Sequence, residues 1–269
     1  MRKLLWITAL LLLSIPGLGQ HCYPTVEHLP FKGGEHIRMG LYFKWGAVNT
    51  EVASADVALD TSSFNGAPAY KTTLTAVTAP FFSAFYDMHE HFETWFAPDL
   101  RPLKYTRNTK QGDYTAYNLY LYDWERRIIH ADINFGGRGP ETMEIPLRDC
   151  VFDLTSILYY IRSLDWSGFA PGKALNMSFA IDDAVFDIVL TYKGKETVKV
   201  KRVGKVDTAR FSCTVVSGAL FDGKTEMQLW FSDDAVRLPV GLMAPLKIGS
   251  VQGWIKNYGG LKYPFDARH

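Results

Sequence analysis

The densest gathering of potential chemistry in this chain is Asp87, His89, His91 and Glu93, in the stretch DMHEHFE. Side chains alternate along an extended strand, so period-two spacing puts all four on one face. Two imidazoles and a carboxylate form a sufficient donor set for zinc or a similar ion. Same-face neighbours on one strand stand about 7 Å apart, so chelation by Asp87, His89 and His91 needs a twist or a bulge. His130 and Asp132 share a face in the same way and would complete such a site if their strand lay alongside. The plainer expectation is a solvated polar face opposite Met88, Phe92 and Phe96.

Other candidates are sparser. Asp233-Asp234 could act as paired carboxylates, but Ser-Asp-Asp before Ala235 reads first as turn chemistry, and so does Asp182-Asp183. Arg162 and Asp165 stand at i, i+3 on an expected helix, a spacing that suits an intrahelical ion pair, with Arg162 anchoring the helix to a loop. For an apolar or amphipathic ligand, the expected contacts are Tyr159, Tyr160, Arg162 and Trp230. No Gly-x-Ser-x-Gly elbow occurs, no glycine loop opens a helix as a phosphate cradle would, and there is no zincin histidine pair. These absences lower an enzymatic reading without ending it, name no catalytic residue and imply no cofactor.

Three cysteines are present. A bridge from Cys22 to Cys150 would pin a loose N-terminal segment against the core, leaving Cys213 as a spare thiol. Three buried, unpaired cysteines are the equal alternative.

These residues need elements to hold them. Asp149 to Trp166 (DCVFDLTSILYYIRSLDW) is the one convincing amphipathic helix, with Leu154, Ile157, Leu158, Ile161 and Leu164 on one face, Asp153 as its cap, and Ser167-Gly168 and Pro171 as its stop. Elsewhere the chain alternates as strands. Expected runs include 35–45, 52–59, 69–77, 89–96, 103–109, 114–122, 127–135, 174–181, 185–192, 196–203, 206–220, 226–232, 236–242 and 248–256. Turns are expected at Asn65-Gly66, Asp182-Asp183, Lys193-Gly194 and Asp222-Gly223. Short turns between successive strands favour antiparallel neighbours, and there is no β-α alternation or fixed repeat. So many strands with one helix predict a strongly curved antiparallel sheet, a closed or nearly closed barrel, with the helix packed on it. A single mainly-β domain over 20–269 is expected, with a division into two halves near 136–146 as the alternative. A membrane-spanning barrel is disfavoured, because the turns are not asymmetric and the chain has no terminal aromatic strand.

Residues 1–19 read as a signal peptide: Arg2 and Lys3, then the apolar run from Leu4 to Ile15, then Gly17-Leu18-Gly19 before the cleavage point. A lipoprotein acylated on Cys22 is disfavoured by His21, which is too large for the position before it. No later segment is long and apolar enough to span a bilayer as a helix. With 29 basic and 28 acidic residues the charge is balanced, which excludes nucleic acid as a partner class.

Several stretches together resemble domain-of-unknown-function family 3108 in its Bacteroidetes form. They are Phe31-Lys32-Gly33-Gly34-Glu35, Gly40-Leu41-Tyr42-Phe43-Lys44-Trp45-Gly46, Leu100-Arg101-Pro102-Leu103, Asp149-Cys150-Val151-Phe152-Asp153 running into Tyr159-Tyr160-Ile161-Arg162, Tyr192-Lys193-Gly194-Lys195-Glu196, Ser232-Asp233-Asp234, Leu238-Pro239-Val240 and Ile248-Gly249-Ser250-Val251. Asn49-Thr50-Glu51-Val52 is more polar than that family's pattern. The resemblance implies an exported, mostly β protein of Gram-negative bacteria, periplasmic or outer-envelope associated, and carries no catalytic residues. The expectation is a non-enzymatic module that binds a lipid or other amphipathic ligand or docks an envelope protein. A structural or assembly factor with a filled interior and an exposed apolar patch is the alternative, and a metal-dependent hydrolase the third reading.

Overall fold

The computed structural model of the protein describes residues 22–23, 29–215, 226–246 and 248–269. The leader expected at 1–19, the far end of the strand expected over 206–220 and the Asp222-Gly223 turn lie outside the described residues.

Strands dominate, as the alternation requires. In chain order they are β1 (Glu35–Trp45), β2 (Val48–Phe64), β3 (Ala67–Thr78), β4 (Met88–Phe96), β5 (Pro102–Gln111), β6 (Tyr114–Asp123), β7 (Ile128–Phe135) and β8 (Glu141–Pro146). There follow β9 (Val151–Phe152), β10 (Ala174–Ile181), β11 (Ala184–Val200), β12 (Gly204–Val215), β13 (Glu226–Ser232), β14 (Pro239–Pro245) and β15 (Ser250–Gly259). A four-residue helix α1 (Pro80–Ser83) interrupts the first series, and α2 (Ser156–Ser163) follows β9. All belong to one 15-stranded sheet ordered β8-β7-β6-β5-β4-β3-β2-β1-β15-β14-β13-β12-β11-β10-β9. The strands pair antiparallel except β9, which runs parallel to β10 over Ser178 and Phe179. The sheet therefore consists of two meanders joined where β1 pairs with β15. Residues 136–146 form the β7–β8 turn and the edge strand β8.

The sheet is not closed, but it is rolled. From β6, Tyr120 donates its hydroxyl to the Asp182 carbonyl at 2.6 Å, and from β5, Arg107 reaches the Asp182 carboxylate at 2.7 Å. These strands lie far apart in the sheet order, so only a curled sheet brings the turn between β10 and β11 over β5 and β6. The curl is filled by side chains. Phe96, Phe152 and Phe211 have no exposed surface, and Phe31 and Phe231 have 1%.

Three details depart from the sequence reading. First, α2 is shorter than Asp149–Trp166. Val151-Phe152 is taken by β10 as a strand, Cys150 sits at φ 58°, and Leu164 is already extended at ψ 137°. Asp153 still serves the first turn, since its Oδ1 accepts from the amides of Thr155 and Ser156 at 3.0 and 2.9 Å, although the capping position itself is Thr155. Second, the buried residues of α2 include Tyr159, Tyr160, Ile161 and Arg162, while Leu154 is exposed and Ile157, Leu158 and Leu164 only half-buried. A helix inside a rolled sheet is covered on most sides, so the expected single apolar stripe does not decide which face is deepest. Third, Lys193-Gly194 is not a turn. β11 passes through it with a register shift between Tyr192 and Gly194, and the chain turns instead at Lys201–Val203, where Arg202 has φ 70°. Glycine at φ 110° permits a bulge as readily as a turn.

Candidate functional site

On β4 the alternation is clear. Glu90, Phe92, Thr94 and Phe96 are buried, and His89, His91, Glu93 and Trp95 lie on the other face. The sequence-predicted metal set therefore shares the outer face, but its members are engaged separately. Asp87 contacts His89 Nε2 at 3.0 Å and accepts from Lys110 at 2.9 Å, and this hydrogen bond holds its carboxyl below the usual range. His91 faces Glu93 at 3.7 Å, and Glu93 also pairs with Lys71. Among the described residues no three His, Cys, Asp or Glu side chains converge to hold a metal. His130 and Asp132 cannot complete the set, because β5 and β6 separate their strand β7 from β4, a lateral distance of about 14 Å.

Of the four ligand candidates, Tyr159, Tyr160 and Arg162 share α2 and are packed into the interior, while Trp230 stands apart on β13. Arg162 is wholly buried: its guanidinium binds Glu35 through Nη2 at 2.8 Å, donates to the Val236 carbonyl at 3.0 Å, and lies over the rings of Phe31 and Tyr159 at 5.2 and 5.5 Å. The expected pairing with Asp165 is absent because the helix ends at Ser163, so Asp165 instead faces Arg237 at 3.7 Å. Tyr159 stacks among Phe31 and Phe96, and Tyr160 against Phe152 at 4.4 Å. Burial raises both phenols, Tyr159 most clearly. Trp230 belongs to the opposite face of β13 from Phe231, donates to Glu196 at 2.5 Å and packs on Trp254 at 5.4 Å.

The acidic pairs are used in holding turns. Asp234 accepts from Ser232, the Arg237 amide and the Ala267 amide, and Asp233 accepts from Trp166 and pairs with Lys195. The structure joins Cys22 to Cys150 in a disulfide, and burial pushes the Cys213 thiol up to about 11.

Sequence reasoning missed two features. One is a buried polar cluster inside the curl, in which Arg107 donates to Thr109, Asn118 and Asp182 while Thr109 and Gln111 donate to Glu90. The other lies at one end of the sheet. Register places the β1–β2 turn, the β3–β4 connection with α1, the β5–β6 turn and the β14–β15 turn at that end, since Trp45 pairs with Val48, Lys44 with Ser250 and Met88 with Gln111. There Trp45 is 60% exposed, Phe81 75%, Phe85 82%, Tyr86 52% and Ile248 62%, with Leu246 alongside. The signal available was large apolar residues inside turn sequences, above all APFFSAFY. At the opposite end three large apolar turn residues, Leu100, Val236 and Leu238, have no exposed surface. The surface also carries two solvent-open concavities. One of about 550 Å³ lies over the outer faces of β3 to β7, along the row Thr75, His91, Asn108, Tyr117 and Asn134, and one of about 440 Å³ lies beside Cys150 and β10.

Residues 39–255 match the family described as Protein of unknown function (DUF3108). The chain belongs to this family. The matched stretch runs from within β1 to within β15 and so takes in both helices and the aromatic end. Among solved structures, a beta-barrel-like protein of domain of unknown function DUF1849 from Brucella abortus is similar in fold, with TM-score 0.57 at 8% identity over 85% of this chain and 98% of that one. A protein with a YmcC-like fold from Bacteroides fragilis, described as exported by inference, has TM-score 0.36 at 11% identity over 86% of this chain and 98% of its own. No curated protein matches the chain. No helix among the described residues is long and apolar enough to cross a membrane.

Proposed function

We propose that this family member is an exported, non-catalytic envelope factor that works by docking: a rigid, filled, barrel-like body presents its aromatic end to an amphipathic component of the cell envelope. The observation that carries this reading is the contrast between interior and end. Tyr159, Tyr160, Arg162 and Phe152 occupy the space where an enclosed ligand would sit, while Trp45, Phe81, Phe85 and Ile248 remain in water. Several large apolar side chains left exposed at one end of a folded protein mark an interaction surface. The filled interior supports the docking reading over a ligand-enclosing one, although both belong to the same class of non-enzymatic envelope module.

The test is fractionation of cells expressing the full chain, together with native mass spectrometry of the protein released from the envelope. Docking predicts a bare polypeptide mass, and loss of envelope co-fractionation when Phe81, Phe85 and Ile248 are all changed to Ser. A discrete extractable lipid adduct would instead support an enclosed ligand and direct attention back to Tyr159, Tyr160 and Trp230.

A further inference from the structure

We infer that the component met by the aromatic end is the headgroup–acyl boundary of a lipid bilayer, into which the side chains of Trp45, Phe81, Phe85 and Ile248 enter. The inference rests on the reading of that end as a docking surface and names its partner.

Three observations favour a bilayer over a protein surface. The exposed apolar side chains stand on separate tips. Trp45 is on the β1–β2 turn, and Ile248 on the β14–β15 turn packed beside it, where Gly249 lies against the Lys44 backbone. Phe81 and Phe85 are on the β3–β4 connection, their ring centroids 6.4 Å apart. A protein interface needs a continuous, complementary patch with a dry centre, whereas a fluid bilayer closes around each projecting tip independently. The side-chain types are those of membrane boundaries, where Trp and Tyr sit at headgroup level with apolar residues below them. Finally, three of the cations behind the tips are already paired: Lys110 with Asp87 at 2.9 Å, Arg138 with Asp183 at 3.0 Å and Lys256 with Glu51 at 2.6 Å. These pairs add no excess charge of one sign, and apolar insertion is taken as the driving term. No helix among the described residues is long and apolar enough to cross a membrane, and the contact inferred is with one leaflet.

Vesicle flotation tests it, using the protein as exported, without the leader read at 1–19, with vesicles of phosphatidylcholine alone and of phosphatidylethanolamine with phosphatidylglycerol. The wild type is expected to float with both, to resist high salt, and to show a blue-shifted Trp45 emission that brominated lipid quenches and that Trp45→Phe removes. The Phe81→Ser, Phe85→Ser, Ile248→Ser variant should lose at least about tenfold in bound fraction, about 1.4 kcal/mol, with an unchanged thermal midpoint. If the wild type stays in the aqueous fraction while the variant still loses envelope co-fractionation, the end meets a protein; this inference is overturned and the docking reading stands. Binding only to the anionic vesicles, released by salt, overturns apolar insertion. A variant indistinguishable from wild type in both assays overturns both readings.

Discussion

Arg162 and Glu35 form a salt bridge with 0% and 1% of their side chains exposed, linking α2 to the first residue of β1. Such a pair contributes little against a well-packed apolar substitute, but removing one partner strands the other charge in a medium that cannot solvate it. Arg162→Met alone is expected to destabilise the protein by about 3–5 kcal/mol in denaturant unfolding, and adding Glu35→Gln should recover most of that loss. A harmless Arg162→Met would show that the pair does not hold the helix in place. Asp153 is buried too. Its Oδ1 accepts from Thr94, Thr155 and Ser156, whereas Oδ2 has no partner among the described residues. Burial raises its carboxyl above the usual range, against the hydrogen bonds that pull it down. The folded state therefore binds this proton more readily than the unfolded chain does. Its contribution to stability is present below the ordinary carboxylate pKa and is lost as pH rises through the interval up to the raised value. Asp153→Asn, which keeps an acceptor in place without charge, should flatten that part of the profile of thermal midpoint against pH. An unchanged slope would mean that another group titrates there.

At the scale of the element, the disulfide is a covalent long-range tie: it joins Cys22 to the residue before β9 across a sequence separation of 128. Replacing both cysteines by Ser should cost about 2–5 kcal/mol by chemical denaturation, because the unfolded chain recovers the closure entropy of a large loop. An equal stability with and without the bridge would show that the packing of Leu29 and Phe31 and the Lys262 hydrogen bond to the Leu29 carbonyl hold the N-terminal segment without it. Much of this level was legible in the sequence. β1 and the Asn65-Gly66 turn stand where alternation and turn chemistry put them, with φ 51° and 81° at the turn. What could not be read was conformational choice at ambiguous residues: glycine at 194 serves bulge or turn, and Val151-Phe152 joins strand or helix according to which neighbour claims it. The candidate site was less legible still. Period two correctly groups His89, His91 and Glu93 on one face of β4, yet it says nothing about which strand lies alongside, and strand order is what keeps His130 away. The placement of Trp45, Phe81 and Ile248 at one end was invisible for the same reason, since it is set by the register of β1 with β15 and of β2 with β3.

For the whole molecule, polarity is the property that bears on function. One end carries exposed aromatic turns, and the other carries the turns in which Leu100, Val236 and Leu238 are buried, the start of β1 and the C-terminal segment, where Lys262 reaches the Leu29 carbonyl at 2.7 Å and Arg268 bridges to Val206. A reporter appended after His269 should therefore leave vesicle flotation and envelope co-fractionation unchanged, whereas one inserted in the β1–β2 turn should abolish both. Equal effects from the two positions would remove the end-on geometry. The sheet order has a second consequence. Every strand except β1, β15, β8 and β9 lies between its neighbours in sequence, and the break between β8 and β9 falls at the open edges of the sheet. Joining residue 269 to residue 22 by a flexible linker, which keeps Cys22 for its bridge to Cys150, and reopening the chain between β8 and Cys150 would produce a circular permutant whose strands follow one another in space from first to last. The pairing of β1 with β15, which now closes a loop of nearly the whole chain, would become a hairpin-like contact, and such a permutant should fold faster than the natural order while keeping the same body.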